Sequence, residues 1–311
     1  MSRQPTYSVV APILNEAESL THLYARIEKV MKKIGEPWEL ILVDDGSTDG
    51  STEAIRRLAR KDRRVRPVIF ARNFGHQIAI TAGWDYARGE AVVTIDADLQ
   101  DPPEAIAELA RKWKEGFDVV YAIRSEREGE GWFKRFTAAV FYRLIYLITD
   151  VRIPVDAGDF RLMDRKVVDV LKTMRERHRF PRGMSAWVGF RQIGIQYKRS
   201  ARHAGVTKYP FKKMLRLALN AITSFSYFPL QVATYFGFFS AGIAILAIPV
   251  VVYFRMAGIP QFTGQATTLI AVLFLGGIQL ISLGVLGEYI GRLYDEAKGR
   301  PLYIVAEAPT D

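Results

Sequence analysis

The stretch WELILVDDGSTDGSTEAIRRLARK, residues 38–61, carries a whole structural unit in order. Trp38–Val43 is a mostly apolar run of strand length, Asp44-Asp45-Gly46-Ser47 is a polar turn, and residues 50–61 read with helical spacing. Working outward, the same alternation recurs. Upstream, Tyr7–Ile13 (YSVVAPI) is a first strand, followed by a polar start at Asn15 and a helical pattern to about Ile34. Downstream come strands over Val65–Phe70, Ala91–Ile95 and Asp118–Ile123, with helical patterns near 76–88 and 103–115. Pro102 and Pro103 open the last of these at a position where proline suits a helix start. Strands alternating with helices predict an α/β fold with a doubly wound, mainly parallel sheet, whose ligands bind beyond the carboxyl ends of the strands.

Two common occupants of that edge lose their support. The first strand runs into PILNEAES rather than a glycine-rich dinucleotide turn, and no GxxxxGK[ST] segment occurs in the chain. What stands at the strand ends is acid. The second strand enters Asp44-Asp45, and the fourth enters Asp96-Ala97-Asp98-Leu99-Gln100-Asp101. A single such Asp would be a turn or capping residue, and turn chemistry remains the competing reading. Two acidic clusters on one edge repel each other unless they share a cation, and hard oxygen ligands select Mg²⁺ or Mn²⁺.

Composition narrows the classes further. The chain of 311 residues has no cysteine, which removes disulfides, thiolate catalysis and Cys-containing metal centres. Its four histidines are too scattered for a zinc helix motif. The net charge of +10 is unevenly placed: residues 1–110 carry −3, residues 111–216 carry +14 and residues 217–311 carry −1. A basic zone directly ahead of the most apolar part of the chain favours an anionic substrate or membrane surface over nucleic acid.

Between Arg216 and Glu288 the only charged residue is Arg255. Val232–Phe254 and Ala266–Gly287 are each long enough to cross a bilayer as a helix. Lys212, Lys213 and Arg216 precede this hairpin, and Arg292, Lys298 and Arg300 follow it. The positive-inside bias then places both ends in the cytoplasm, with the protein a multi-pass component of the inner or plasma membrane. Ahead of the hairpin, Phe211, Met214, Leu215, Ala218, Leu219 and Ile222 recur at helical spacing, the pattern of an amphipathic helix in the membrane interface or packed on the soluble part. The expected divisions are 1–207 for the catalytic domain, 208–229 for the juxtamembrane region, 230–289 for the hairpin and 290–311 for a cytoplasmic tail. Gly287-x-x-x-Gly291 and Gly237-x-x-x-Ala241 permit close helix approach, which suggests a homo-oligomer, with a tetramer among the candidates.

Several segments in order carry a family resemblance. APILNE at 11–16, VDDGSTDGS at 43–51, ARNFGHQIAITAG at 71–83 and DADLQDPPE at 96–104 resemble the family 2 glycosyltransferases, in particular their polyprenyl-phosphate branch. GDFRLMDRKVV at 158–168, RHAGVTKY at 202–209 and GEYIGRLYDEAKGRP at 287–301 extend the likeness through the hairpin. The resemblance implies a GT-A fold and inverting transfer of a sugar from a nucleoside diphosphate, with UDP-glucose the first candidate, to polyprenyl (undecaprenyl) phosphate. It implies that Pro12, Asn15, Glu16, Asp44, Asp45 and Asp96 meet the nucleotide sugar. Asp96 and Asp98 match the DXD metal site, with Gln100 as a third contact for Mg²⁺ or Mn²⁺. Arg124, Arg202 and Lys208 match cations that hold phosphate groups. Asp159 sits at the position usually offered as catalytic base, with Asp98 and Arg124 beside it in the chemistry; an ion pair of Asp159 with Arg161 or Arg165 is the alternative. His76-Gln77 departs from the commoner residues at its position, and no function attaches to it.

Two other functions remain open. A processive polysaccharide synthase would need more than two spans for its polymer channel, and the QxxRW-type motif is missing. A non-catalytic lipid carrier or flippase partner would not need the acidic clusters.

Overall fold

The structure, a computed structural model, describes residues 4–124, 157–197, 226, 228–257 and 265–309. It divides into two compact units, one holding the sheet together with the residues from Arg300 onward, the other holding two long helices. The amphipathic helix expected around Phe211–Ile222, and with it Arg202 and Lys208, lies outside the described residues.

The first unit begins β1 (Tyr7–Ile13), α1 (Ala17–Ile34), β2 (Trp38–Asp44), α2 (Ser51–Lys61), β3 (Val65–Phe70), α3 (His76–Tyr86) and β4 (Ala91–Thr94). After a short 3₁₀ turn at Pro103–Ala105 come α4 (Ile106–Lys114) and β5 (Val119–Arg124). β1 and β2 are buried along their whole length, as strands covered on both faces must be, and this is why they read as apolar runs without alternation. α1 buries Leu20, Leu23, Tyr24, Ile27, Val30 and Met31 along one face, and ends where Gly35 turns left-handed and donates its N–H to Met31 O at 3.0 Å.

The sheet departs from the simple winding in one respect. Its order is β7-β5-β6-β4-β1-β2-β3-β8, eight strands in all. β1, β2, β3 and β4 run parallel to their neighbours among themselves, but β6 (Ala157–Asp164) enters between β4 and β5, antiparallel to both. Phe160, Leu162 and Met163 of β6 are fully buried, so the strand is held by core packing as well as by its ladder. α5 (Arg165–Thr173), α6 (Pro181–Trp187) and β7 (Gln192–Tyr197) follow, β7 pairing parallel with β5 at one edge. At the other edge β8 (Val305–Glu307) pairs antiparallel with the end of β3. Because β6 is reversed, its first residues stand at the same edge as the carboxyl ends of β1 to β4.

The second unit contains α7 (Phe228–Met256) and α8 (Gln265–Ala297). Phe228–Phe254 and Ala271–Ala297, 27 residues each, contain 18-residue stretches with mean hydropathies of 2.2 and 1.8, long and apolar enough to cross a membrane. Phe238, Leu246, Leu280 and Leu293 are exposed, as side chains solvated by lipid rather than by a protein core would be. α8 continues ten residues past the span expected from the sequence, and on that extension Arg292 pairs with Glu288 one turn away at 3.0 Å.

Candidate active site at the carboxyl edge of the sheet

Three loops are tied together where β1, β2 and β3 end. Asn15, in the left-handed region with φ 56°, donates its backbone N–H to Ser47 Oγ at 3.0 Å. Its Oδ1 accepts from Thr48 N at 2.8 Å. Asp49 accepts from Ala17 N, Ser51 N and Ser51 Oγ, and Glu16 N donates to Ser51 Oγ at 3.0 Å. The β1 and β2 loops thus form one bonded surface. Asp44, fully buried, accepts from Ser47 N at 2.9 Å and from the Thr52 hydroxyl. Pro12 lies buried inside β1, in register with Val43.

Asp45 fastens the third loop. Its carboxylate accepts from Phe74 N at 2.6 Å, from Gly75 N at 3.0 Å and from Asn73 Nδ2 at 3.1 Å. Burial pushes its carboxyl above the usual range, although these N–H groups work against that shift. Gly46 allows the two loops to meet: its φ is 72°, and a Cβ there would lie 2.6 Å from Asn73 N.

The acids gather one strand further along. Asp96 and Asp98 lie in the turn after β4, where Leu99, like Asn15, is a non-glycine residue with positive φ, at 58°. Such conformations cost of order 1–3 kcal/mol and persist only where the surroundings impose them. Here the buried Leu99 side chain anchors the turn. Gln100 is buried, its N–H donating to Asp98 Oδ1 at 3.1 Å, and buried Asp101 accepts from the Tyr197 hydroxyl.

β6 supplies the remaining acid. Its antiparallel register ends by pairing Thr94 with Arg161, two residues before Asp96 on one strand and two after Asp159 on the other. Asp159 is 4% exposed and receives a two-pronged ion pair from Arg182, Nε to Oδ1 at 2.8 Å and Nη2 to Oδ2 at 3.0 Å. Between the two carboxylates stands His76, at the N-terminus of α3, with Nε2 3.5 Å from Asp96 Oδ1 and 3.6 Å from Asp159 Oδ2. Burial opposes the charged imidazole, but Asp159 and Asp96 outweigh it and push His76 up to about 9. Asp159 is likewise drawn well below the carboxylate range by Arg182 and His76, against the effect of burial. Asp96 is pushed up to about 6 by burial, with Asp159, Asp101 and Asp98 adding to the rise and His76 opposing it.

Asp96 has the His76 imidazole at 3.5 Å but lacks the two-pronged guanidinium contact that Asp159 receives. Its buried Oδ1 has no hydrogen-bond partner. An orphaned carboxylate oxygen beside a second carboxylate and a buried amide is a hard-oxygen donor set that fits Mg²⁺ or Mn²⁺. Among the described residues no three acidic or histidine side chains already form a closed metal cage, so substrate oxygens would have to complete the ligand set.

The structure brings Asn15, Glu16, Asp44, Asp45, Asp96, Asp98, Gln100 and Asp159 to one edge. Arg124 is the last residue of β5, in register with Tyr197. Two residues here carried no role in the sequence reading: His76 and Arg182. Asp159 pairs with neither Arg161 nor Arg165; Arg161 donates to Ser185 Oγ and to Gly158 O, and Arg165 donates to Gly89 O. The correction has a simple cause, since residues 159 and 161 share one face of β6 and Arg161 is occupied deeper in the core, while the start of α6 brings Arg182 across from another element. His76 had a signal in the sequence, a cation directly after Phe74-Gly75 at a helix start, facing the edge where the acids stand.

The sequence pattern described as Glycosyl transferase family 2 matches residues 8–171. The uncharacterized glycosyltransferase YkcC of Bacillus subtilis is 52% identical over 99% of this chain and 95% of its own length. The uncharacterized glycosyltransferase sll0501 of Synechocystis is 47% identical over 96% of this chain and 94% of its own. The bactoprenol glucosyl transferase of Shigella phage SfII is 43% identical over 97% of each chain.

Proposed function

Because this chain belongs to glycosyl transferase family 2, we propose that its carboxyl-edge site transfers glucose from a nucleoside diphosphate, UDP-glucose, to polyprenyl phosphate at the cytoplasmic membrane face. The observation that carries this reading is the Asp96 carboxylate, with its unbonded buried oxygen, next to Asp98 where a GT-A-like sheet presents its ligand edge. The name of the phage relative, a bactoprenol glucosyl transferase similar over 97% of both chains, supports the sugar and the class of acceptor.

Asp96 and Asp98, with Gln100, would hold a divalent cation through the donor's diphosphate; such a cation neutralises charge on the departing group. The chain's own residues do the rest. The bonded surface of the 14–17 and 44–51 loops, with Asp44, receives the nucleoside. Asp45 acts indirectly, by holding the 73–75 loop that leads to His76. His76 balances Asp96 and Asp159 and presents a cation toward the phosphates.

Asp159, held well below the carboxylate range, is a poor proton acceptor and serves to orient Arg182 and His76. A base is not needed. By analogy with phosphate monoesters, whose second pKa is about 6, the acceptor phosphate is largely dianionic at neutral pH. One of its oxygens attacks the anomeric carbon opposite the leaving diphosphate, the carbon–oxygen bond to the donor breaks, and configuration inverts. Arg124, Arg202 and Lys208 are proposed to steer the two phosphate groups, within the strongly basic 111–216 segment.

The two long helices anchor the protein as a hairpin. β8 lies after the two helices in the chain and pairs with β3, which lies before them, and this supports a hairpin whose two ends leave the bilayer on one side. Basic residues at those ends support the cytoplasm as that side. A homo-oligomer, built through the small-residue spacings of the helices, completes the proposal.

The test uses purified full-length protein in detergent with labelled UDP-glucose, undecaprenyl phosphate and Mg²⁺ or Mn²⁺. Labelled lipid-linked glucose is expected. Nucleotide release without a lipid product, or a polymeric product, would overturn the reading.

A further inference from the structure

The residues after Arg300 return to the sheet beside the loop that carries His76. Glu307 and Val305 of β8 pair with Ile69 and Phe70, the last two residues of β3. Ala71, the first residue of the loop, donates its N–H to Ile304 O at 3.0 Å. Tyr303 makes the contact on which the arrangement turns. Its ring stacks on Phe70 with centroids 5.1 Å apart and planes 17° from parallel, and Phe70 in turn meets Phe74 edge-on at 5.6 Å. The Tyr303 hydroxyl donates to Asp85 Oδ2 at 2.8 Å, on α3. One side chain thus touches both the strand that enters the 71–75 loop and the helix that leaves it. That loop donates the Phe74 and Gly75 N–H groups to Asp45 and ends at His76, 3.5 Å from Asp96.

Covering the exposed edge of β3 would require only the β8 ladder. The hydroxyl bond to Asp85 and the stack on Phe70 lie outside the ladder, and both act on the flanks of one loop. We propose that Tyr303 is a positioning residue for sugar transfer: its side chain clamps the 71–76 loop by its two flanks and so sets where His76 stands between Asp96 and Asp159. The role in transfer rests on the glycosyltransferase reading above, while the clamp itself can be measured without it.

The experiment compares full-length wild type with Tyr303→Ala, Tyr303→Phe and Glu307→Gln. The last removes the Arg56–Glu307 ion pair from the same tail without touching the loop. In Tyr303→Ala, kcat for glucosyl transfer is expected to fall about 10- to 100-fold, a misplacement of about 1 Å costing toward the upper end of that range. The KM for polyprenyl phosphate should stay unchanged. Amide exchange should quicken over residues 71–78 and remain at the wild-type rate in β2. Tyr303→Phe, which keeps the stack, should fall between Tyr303→Ala and wild type, and Glu307→Gln should match wild type. Wild-type kcat together with wild-type exchange over 71–78 in both Tyr303 variants would overturn the clamp, and so would an equal effect of Glu307→Gln. If the wild type glucosylates no lipid, the functional reading fails, and the exchange comparison alone still decides whether Tyr303 holds the loop.

Discussion

At the scale of single residues, the site is a problem in charge balance. Three carboxylates (Asp96, Asp98 and Asp159) stand with His76 and Arg182, and while Arg182 is committed to Asp159, His76 is shared between Asp159 and Asp96. Asp98→Ala should lower transfer at least about 100-fold, the scale of losing a principal electrostatic contact, with the protein still inserted in the membrane. EDTA should stop the wild type, and added Mg²⁺ or Mn²⁺ should restore it; wild-type turnover by Asp98→Ala, or in excess EDTA, would remove the metal role from this pair. His76 makes a second test. If its contribution is a fixed positive charge between two acids, His76→Lys should retain most activity, whereas His76→Ala should lose about 10- to 100-fold. Equal activities for the two variants would show that the charge is irrelevant. The acids of the DADLQ turn were legible in the sequence because two carboxylates one residue apart after a strand have few structural uses. His76 and Arg182 were not, because their significance depends on Asp159 arriving from β6, an element that begins only at Ala157, far beyond the DADLQ turn.

At the scale of elements, the parallel half of the sheet follows from local pattern, and the strand boundaries read from the sequence agree with the structure to within about a residue. The insertion of β6 between β4 and β5 does not, since AGDFRLMD has no feature that separates an antiparallel central strand from a parallel one. Only pairing across the chain decides it. The eight-strand order also adds β8, too short and too exposed to register as a strand in an apolar count. Of the elements that carry the site, α3 depends most on one close approach. A Cβ on Gly83 would lie 2.0 Å from Val10 Cγ1, inside β1. Gly83→Ala should therefore destabilise by about 1–3 kcal/mol through overpacking, read as a fall in thermal midpoint. The double variant Gly83→Ala/Val10→Ala should recover part of that loss, because the added methyl would fill space the valine vacates. Additive losses would place the cost elsewhere than in this contact.

At the scale of the whole molecule, the absence of cysteine gives a clean test of topology. Single substitutions Lys61→Cys on α2, Ala306→Cys on β8 and Ala257→Cys just beyond α7 report separate regions. In intact cells a membrane-impermeant maleimide should label Ala257→Cys, and should reach the other two only after the membrane is opened. Labelling of Lys61→Cys and Ala306→Cys from opposite sides would contradict the pairing of β3 with β8 across the hairpin. The two long apolar helices were legible from charge depletion alone, because an uncharged run of more than twenty residues is long enough to form one. That the chain comes back to finish the sheet was not, because nothing in residues 300–309 matches β3 except in three dimensions. The order of synthesis then matters. While the ribosome is making α7 and α8, the nascent sheet has an open border at β3, a row of unpaired amides of the kind that invites wrong pairing between neighbouring chains. Closure must wait until α7 and α8 have been made and the residues of β8 have been released, so the sheet is completed only at the end of synthesis. A chain stalled in the hairpin would hold its donor loops with one border unsealed.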